Sequence, residues 1–399
     1  MANLRNSVSL SLGLVLLAGC GTAGLPSVGG DRAAAPLAAQ TVPGQIVVKL
    51  RPQVAAAGWL AAQGLRSVRT VRGLGAVVVT AADTTAALAR LGRDPAVVYA
   101  EPNYVMRAIA PVARRPVAAL AGDDMLGSLW GMEKTGATKV WAKVPGDRKV
   151  TVAVVDTGID HTHPDFSGRV NKGRDVVNND DDAMDDQGHG THCAGTVAAG
   201  LGNGGVVGVA PNVSLLAVKV LDANGSGSYA GVAEGIVYAA DQGAPIISMS
   251  LGGARSSKVL EDAVAHAIRK GSLIVAAAGN DGSDEPSYPA AIPGVMAVSA
   301  SQRDDRLAYF SNTGSHVSVA APGVDILSTV PGGKYESLDG TSMACPHVSG
   351  LAALVKSRFP AYSAKQIRER IEKSADDLGA KGFDPNFGNG RINVARTVL

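Results

Sequence analysis

Short apolar runs separated by glycine and polar breaks dominate the chain, and they fall into two blocks. In residues 43–107, GQIVVKL (44–50) and GAVVVTA (75–81) read as strands, and Val54 to Gln63 and Thr84 to Leu91 as helices. VVYAEPNY (97–104) follows as an extended segment. This block is a small α+β unit, near the lower size limit for folding alone. Residues 124–399 repeat wholly apolar runs with helical stretches between them: VTVAVVD, SLLAVKVL, PIISMSLG, SLIVAAAG, VMAVSA and VSVAAPG. A strand apolar on both sides must be covered on both sides. The pattern therefore predicts an α/β fold, a mostly parallel buried sheet with helices on both faces. Sites in such sheets gather at the carboxyl ends of strands, and Asp156, Gly252 and Asn280 fall at such ends.

Three further segments frame the blocks. Arg5 precedes an apolar stretch, Val8 to Ala18, too short to cross a bilayer as a helix. It ends in Leu17-Ala18-Gly19-Cys20, which resembles a bacterial lipobox, with cleavage before Cys20 and lipid on its sulfur; an ordinary signal peptide is the competing reading. Both imply export and removal of residues 1–19, and only the first gives contact with a membrane. Residues 20–42 are small and Gly/Pro/Ala-rich, a tether. Residues 108–123, with Pro111, Arg114, Arg115 and Pro116, read as a linker, and a maturation cut is expected between Arg107 and Met125.

Composition narrows the function. Of 399 residues 46% are hydrophobic, so a large core is available, and 37 Lys+Arg against 35 Asp+Glu leave a net charge of +2. That is no field for a phosphate backbone, which excludes nucleic acid as partner. With Cys20 set aside, Cys193 and Cys345 remain of three cysteines, no disulfide framework, and both are expected as buried free thiols.

Three segments carry catalytic residue types in chain order: Asp156 ends the VAVVD strand, His189 opens GHGTHCAGTVAAG, and Ser342 opens GTSMACPHVSGLAALVKS. A serine hydroxyl is a poor nucleophile until an imidazole takes its proton, and the imidazole needs a carboxylate to fix its tautomer. Singly, each residue has a plain structural explanation as turn, cap or packing group.

Together, GHGTH and GTSMACPHV resemble the subtilisin-like serine peptidases, the subtilase family, from about residue 128 to the C-terminus. Asp-His-Ser is also the family's order. The resemblance implies a serine endopeptidase in which Asp156 orients His189, His189 is general base then acid, and Ser342 attacks the carbonyl. Asn280 of VAAAGN matches the oxyanion-hole asparagine. Gly225, Ser226 and Gly227 of ANGSGSY, and Ser250, Leu251 and Gly252 of SMSLGG, match edges that pair with an extended polypeptide substrate. His192 matches a non-catalytic position expected to pack against its helix. Cys193 resembles a cysteine near the active site in some branches, read as structural, with mercurial sensitivity as the alternative. Residues 43–107 resemble the family's inhibitory propeptide, whose tail occupies the cleft until cut. A monomer is expected.

No cofactor is implied for the chemistry, and structural calcium is the open metal question. Asp165 with Asn203 in LGNGG is the family-like site, although Gly202 stands where asparagine is expected. The acidic run Asp180, Asp181, Asp182, Asp185, Asp186 reads either as a solvated loop or as a calcium loop. The stretch after Asn280 is short, which leaves side-chain preference open; Asp281, Asp284 and Glu285 there either disfavour acidic substrates or are simply solvated. Two rival classes stand beside this: a metallohydrolase built on His161, His163 and Asp165 (HTHPD), and a catalytically silent scaffold of the same fold.

Overall fold

The computed structural model describes residues 40–117 and 124–399. The leader, Cys20 and most of the tether lie outside the described residues, as do positions 118–123.

The N-terminal block is an antiparallel sheet. Its strands are β1 (Thr41–Leu50), β2 (Arg66–Val71), β3 (Ala76–Thr80) and β4 (Val97–Ala108), in the order β4-β1-β3-β2. Helices α1 (Ala56–Ala62) and α2 (Thr84–Leu91) belong to the same block, and Asp83 caps α2 by accepting the Ala86 N–H. Side chains alternate across a strand, and here the alternation has two partners. Ile46, Val48, Val77 and Val79 join Ala87, Leu91 and Trp59 of the block's own helices. Val47, Val71 and Val78 face the other way, into a core shared with the second block. β2 carries no apolar run that would mark it in the sequence, because RSVRTV is an edge strand whose side chains are mostly exposed.

After β5 (Ala113–Val117) and α3 (Trp130–Thr135) the second block begins. Its parallel sheet contains β6 (Thr151–Asp156), β7 (Val170–Asp175) and β8 (Ser214–Lys219). Between β7 and β8 lies α4 (His189–Ala198). The short β9 (Ser226–Ser228) leads into α5 (Tyr229–Asp241), then β10 (Ile246–Met249), β11 (Leu251–Gly252) and α6 (Lys258–Arg269). The sheet is completed by β12 (Leu273–Ala277), β13 (Met296–Ser301) and β14 (Val317–Pro322). A hairpin, β15 (Ile326–Val330) and β16 (Lys334–Asp339), precedes α7 (Thr341–Arg358), α8 (Ala364–Lys373) and α9 (Val394–Val398).

The seven-stranded sheet runs β14-β13-β12-β10-β6-β8-β7, all pairs parallel. Val152, Val154 and Val275 pack with α4 and α7 on one face, and Ala153, Val155 and Ile274 with α5 and α6 on the other. Between β8 and β10 the chain crosses from one side of β6 to the other, which opens a crevice at the carboxyl end of β6. Asp156 sits there.

Candidate active site

Asp156 is the last residue of β6 and is fully buried; its Oδ1 accepts the Thr157 N–H at 2.8 Å and the His189 Nδ1–H at 2.7 Å. A carboxylate can only accept, so the ring proton lies on Nδ1. Burial works against a charge on His189, but the Asp156 carboxylate overrides it and leaves the pKa raised. His189 Nε2 is buried and has no hydrogen-bond partner among the described residues.

The register between these two residues is set by Asp185. Its Oδ1 accepts Thr157 Oγ1–H, Gln187 N–H and Gly188 N–H, each at 2.9 Å, and its Oδ2 accepts Thr191 N–H at 2.9 Å and Thr191 Oγ1–H at 2.6 Å. Thr157 Oγ1 in turn accepts the Gly190 N–H. One carboxylate thus ties the loop after β6 to the first turn of α4, satisfying N–H groups a helix start leaves unpaired. The approach is close enough to require glycine at 190, where a Cβ would lie 2.1 Å from Gly158 O.

Ser342 lies in the first turn of α7, where the helix dipole favours negative charge. Pro346, inside that helix, has no N–H for the Ser342 carbonyl. Ser250 Oγ–H at 2.9 Å and Cys193 Sγ–H at 3.4 Å take its place. Burial pushes the Cys193 thiol well above its usual pKa, so it stays a neutral donor. Asn280 is oriented by its Oδ1, which accepts Thr341 N–H at 2.9 Å and Thr341 Oγ1–H at 2.8 Å. Its Nδ2 is therefore aimed outward, at Ala110 O, 3.0 Å away.

The cleft is filled by the chain itself. The end of β4 lies between β9 and β11 as an antiparallel strand, with Val105, Met106 and Arg107 opposite Ser228, Gly227 and Ser226, and Arg107 and Ala108 opposite Gly252 and Leu251. Ala108 N–H donates to Gly225 O at 2.8 Å and Ile109 N–H to Ser250 O at 3.2 Å. A side chain at 227 would meet Val220 O at 2.2 Å, so glycine there lets β9 lie close against the end of β8. Met106 is buried in the cluster that holds Tyr229, Val232, Leu251 and Leu260. Ser342 Oγ–H donates to Ile109 O at 2.9 Å, with Ser250 O at 3.2 Å. Upstream, Glu101 accepts the N–H groups of Lys258 and Val259 at the start of α6, and Asn103 Oδ1 accepts Ala230 N–H at the start of α5. Downstream, Val112 N–H donates to Asp339 O and β5 pairs antiparallel with β16. The stretch 108–117, expected as part of a linker, is thus paired as strand at Ala108 and at Ala113–Val117, on both sides of the residues facing Ser342.

Other residues singled out from the sequence lie elsewhere. Asp165 and Asn203 are adjacent, but Asp165 Oδ1 accepts Tyr335 Oη–H, Oδ2 accepts Val206 N–H, and Asn203 Nδ2 donates to Asp165 O. Donors surround one carboxylate there, and this is not the converging oxygen cage that calcium requires. In the acidic run, Asp181 pairs with Arg174, Asp182 with Lys172 and His161, and Asp186 with the buried Lys219. His163 turns to Lys334 O and packs against Phe166 and Tyr335 rather than converging with His161 and Asp165. His192 does not merely pack against its helix: its Nε2 reaches Ile326 O and Glu336 O of the hairpin, and burial lowers its pKa to about 3. Cys193 and Cys345 are buried free thiols. Among the described residues, one group of three metal-ligating side chains comes together, Asp156, His189 and Cys193.

Comparison with known proteins follows the same lines. Residues 147–390 match the model of the subtilase family, and residues 30–103 that of the fervidolysin N-terminal prodomain. A thermophilic serine proteinase of Bacillus sp. (strain AK1) is 44% identical over 324 residues, 80% of this chain and 77% of that protein. Thermitase of Thermoactinomyces vulgaris is 46% identical over 67% of this chain and 95% of its own. The crystal structure of fervidolysin from Fervidobacterium pennivorans, described as a keratinolytic enzyme related to subtilisin, superposes with a TM-score of 0.81 at 30% identity. It covers 90% of this chain, which spans 61% of fervidolysin's length. The chain belongs to the subtilase family of serine endopeptidases and carries a fervidolysin-like prodomain ahead of its catalytic domain.

Proposed function

We propose that this is an exported serine endopeptidase, made as a precursor that holds its own prodomain tail in the cleft and cuts it between Ile109 and Ala110. The observation that carries the reading is the Ile109 carbonyl, held by a backbone ladder at 2.9 Å from the Ser342 hydroxyl. The next bond, Ala110–Pro111, would have to expel a proline nitrogen and is the poorer choice.

In this mechanism Ser342 Oγ attacks the Ile109 carbonyl carbon as its proton passes to His189 Nε2, the buried nitrogen without a partner among the described residues. Asp156 holds the ring and stabilises the imidazolium. Asn280 Nδ2 donates to the oxyanion. His189 then gives the proton to the Ala110 nitrogen, that bond breaks, and water releases the acyl-enzyme by the same route in reverse. In the resting precursor Asn280 is engaged by Ala110 O instead. The Ile109 carbonyl must turn into that position before reaction, which accounts for latency. Polypeptides enter by the same strand addition as the tail, through Gly225, Ser226, Gly227, Ser250, Leu251 and Gly252, so main-chain pairing dominates and many sequences are accepted. The reaction needs no cofactor.

Residues 1–19 serve as the leader. With a lipid on Cys20, the cut at 109–110 would free the catalytic domain from its anchor once the prodomain lets go.

The test is the intact mass of the exported product, wild type beside Ser342→Ala. Wild type ending up with Ala110 as its first residue, while Ser342→Ala keeps the prodomain, supports the reading. Identical trimming of both assigns maturation to another protease, and full-length forms of both favour a silent fold. Mature enzyme found only in membranes would count against release.

A further inference from the structure

The acidic edge of β16 carries an inference beyond the cleavage reading, on which it rests. Three carboxylates line it. Asp339 binds Arg115 through both oxygens, Nη1 to Oδ1 at 2.9 Å and Nη2 to Oδ2 at 2.8 Å. Asp325 lies 3.5 Å from the same guanidinium, and Glu336 pairs with Arg114 at 3.3 Å. Among the described residues these three acids have no other ion-pair partner. Two of them are held in place without the arginines, since Asp339 Oδ1 also accepts Asp325 N–H at 2.7 Å and Asp325 Oδ1 accepts Ser337 Oγ–H at 2.6 Å. The backbone fixes the register: Arg114 lies opposite Leu338 and Arg115 opposite Ser337, with Ala113 opposite Asp339. Counting from a cut after Ile109, Arg114 and Arg115 are the fifth and sixth residues on its C-terminal side.

We propose that this edge is a downstream recognition site of the peptidase, selecting polypeptide substrates with arginines at the fifth and sixth positions after the cut bond. The chain's own Arg114-Arg115 is its first occupant. An edge strand that pairs by backbone is indifferent to sequence, so selectivity has to come from side chains. The bidentate fork at Asp339 distinguishes arginine from lysine. Each pair is partly exposed, so each contributes modestly and is screened by salt. Two of them together amount to about a three- to tenfold preference.

The experiment uses enzyme matured from the full chain carrying Arg114→Ala and Arg115→Ala, whose own segment no longer fills the edge with charge. Its substrates are internally quenched peptides of residues 105–117 with Arg-Arg, Lys-Lys or Ala-Ala at positions 114 and 115. The expected result is a kcat/KM for Arg-Arg about three to ten times that for Ala-Ala at about 20 mM salt, through KM, shrinking toward unity near 1 M. Lys-Lys should fall between. Adding Asp325→Asn, Glu336→Gln and Asp339→Asn should bring the Arg-Arg to Ala-Ala ratio to one, whatever the absolute rates. Equal rates for all three peptides before those changes overturn the proposal while leaving the peptidase reading intact. No cleavage of any peptide overturns both.

Discussion

Asp185→Asn probes whether the scaffold behind His189 sets the catalytic geometry. The substitution keeps the shape of the side chain and replaces one accepting oxygen with an NH₂ group. Five donors converge on the carboxylate, three on Oδ1 and two on Oδ2. With the NH₂ at the Oδ2 position, the Thr191 N–H faces a donor; at the Oδ1 position, the N–H groups of Gln187 and Gly188 do. Hydroxyls can rotate away, but backbone N–H groups cannot. One to two donors are left unpaired, at about 1–3 kcal/mol each, so the loss in stability is about 1–6 kcal/mol. The freed N–H groups lie in the turn entering α4 and in its first turn, and the Thr157 hydroxyl of the loop after Asp156 shares the same carboxylate, so the support on the His189 side of the 2.7 Å Asp156–His189 hydrogen bond is loosened. A misplacement near 1 Å in a catalytic array costs about a hundredfold in rate. Unfolding should be followed in a Ser342→Ala background, to avoid self-digestion, and turnover in the Ser342 protein, normalised by active-site titration. Stability within about 0.5 kcal/mol of the parent (the scatter of an ordinary surface change), together with kcat/KM within about twofold, would refute the reasoning.

Asn280→Ala should lower kcat by about 10²–10³ with little change in KM, the magnitude known for the same donor in subtilisin itself. A KM effect alone would assign Asn280 to binding. For pH, the sign follows from the raised pKa of His189: the protonated ring is favoured in the precursor and the base appears only above that pKa. Self-cleavage, measured as a first-order rate, should therefore fall away on the acid side with a midpoint above the ordinary value of about 6.5. A midpoint well below it would contradict the assignment. Cys193 should resist thiol reagents in the native protein and react once unfolded, because burial keeps it protonated; ready native labelling would show that the pocket around it opens. Cys193→Ala should leave the Ser342 carbonyl to Ser250 alone and cost about 1 kcal/mol in stability, with kcat/KM changed by less than about tenfold.

The sequence made some strands legible and hid others for one physical reason. β6, β8, β10, β12, β13 and β14 are covered on both faces and are almost wholly buried, so each reads as a run of apolar residues broken within only by a small serine such as Ser248, Ser299 or Ser318. β2 and β7 are edges: RSVRTV and VNKGRD are mostly polar and take their strand form from one neighbour. The triad types and Asn280 were visible through motif spacing. Asp185 was lost among five aspartates, since only burial and its ring of donors set it apart from Asp181, which is exposed. A local signal did exist: Asp185 accepts the N–H groups two and three residues ahead, an Asx-type turn that opens the helix bearing His189.

The segment around the proposed cut shows a different kind of limit. AIAPVARRPV has prolines at 111 and 116, no apolar period and adjacent like charges, all local marks of a linker. Its order is borrowed. The backbone groups of Ala108 and Ile109 are satisfied by Gly225 and Ser250, and that of Val112 by Asp339, all far away in sequence. The charges of Arg114 and Arg115 are balanced by acids more than 200 residues distant. None of this can be read from the segment, because a substrate-like strand carries little structure of its own; the cleft imposes it. On the proposed reading the same property makes the tail both inhibitor and first substrate. The ladder that holds Ile109 against Ser342 would hold any extended polypeptide, and on the proposed reading what separates waiting from cutting is which carbonyl reaches the Asn280 amide, Ala110's as in this structure or Ile109's in the reacting chain.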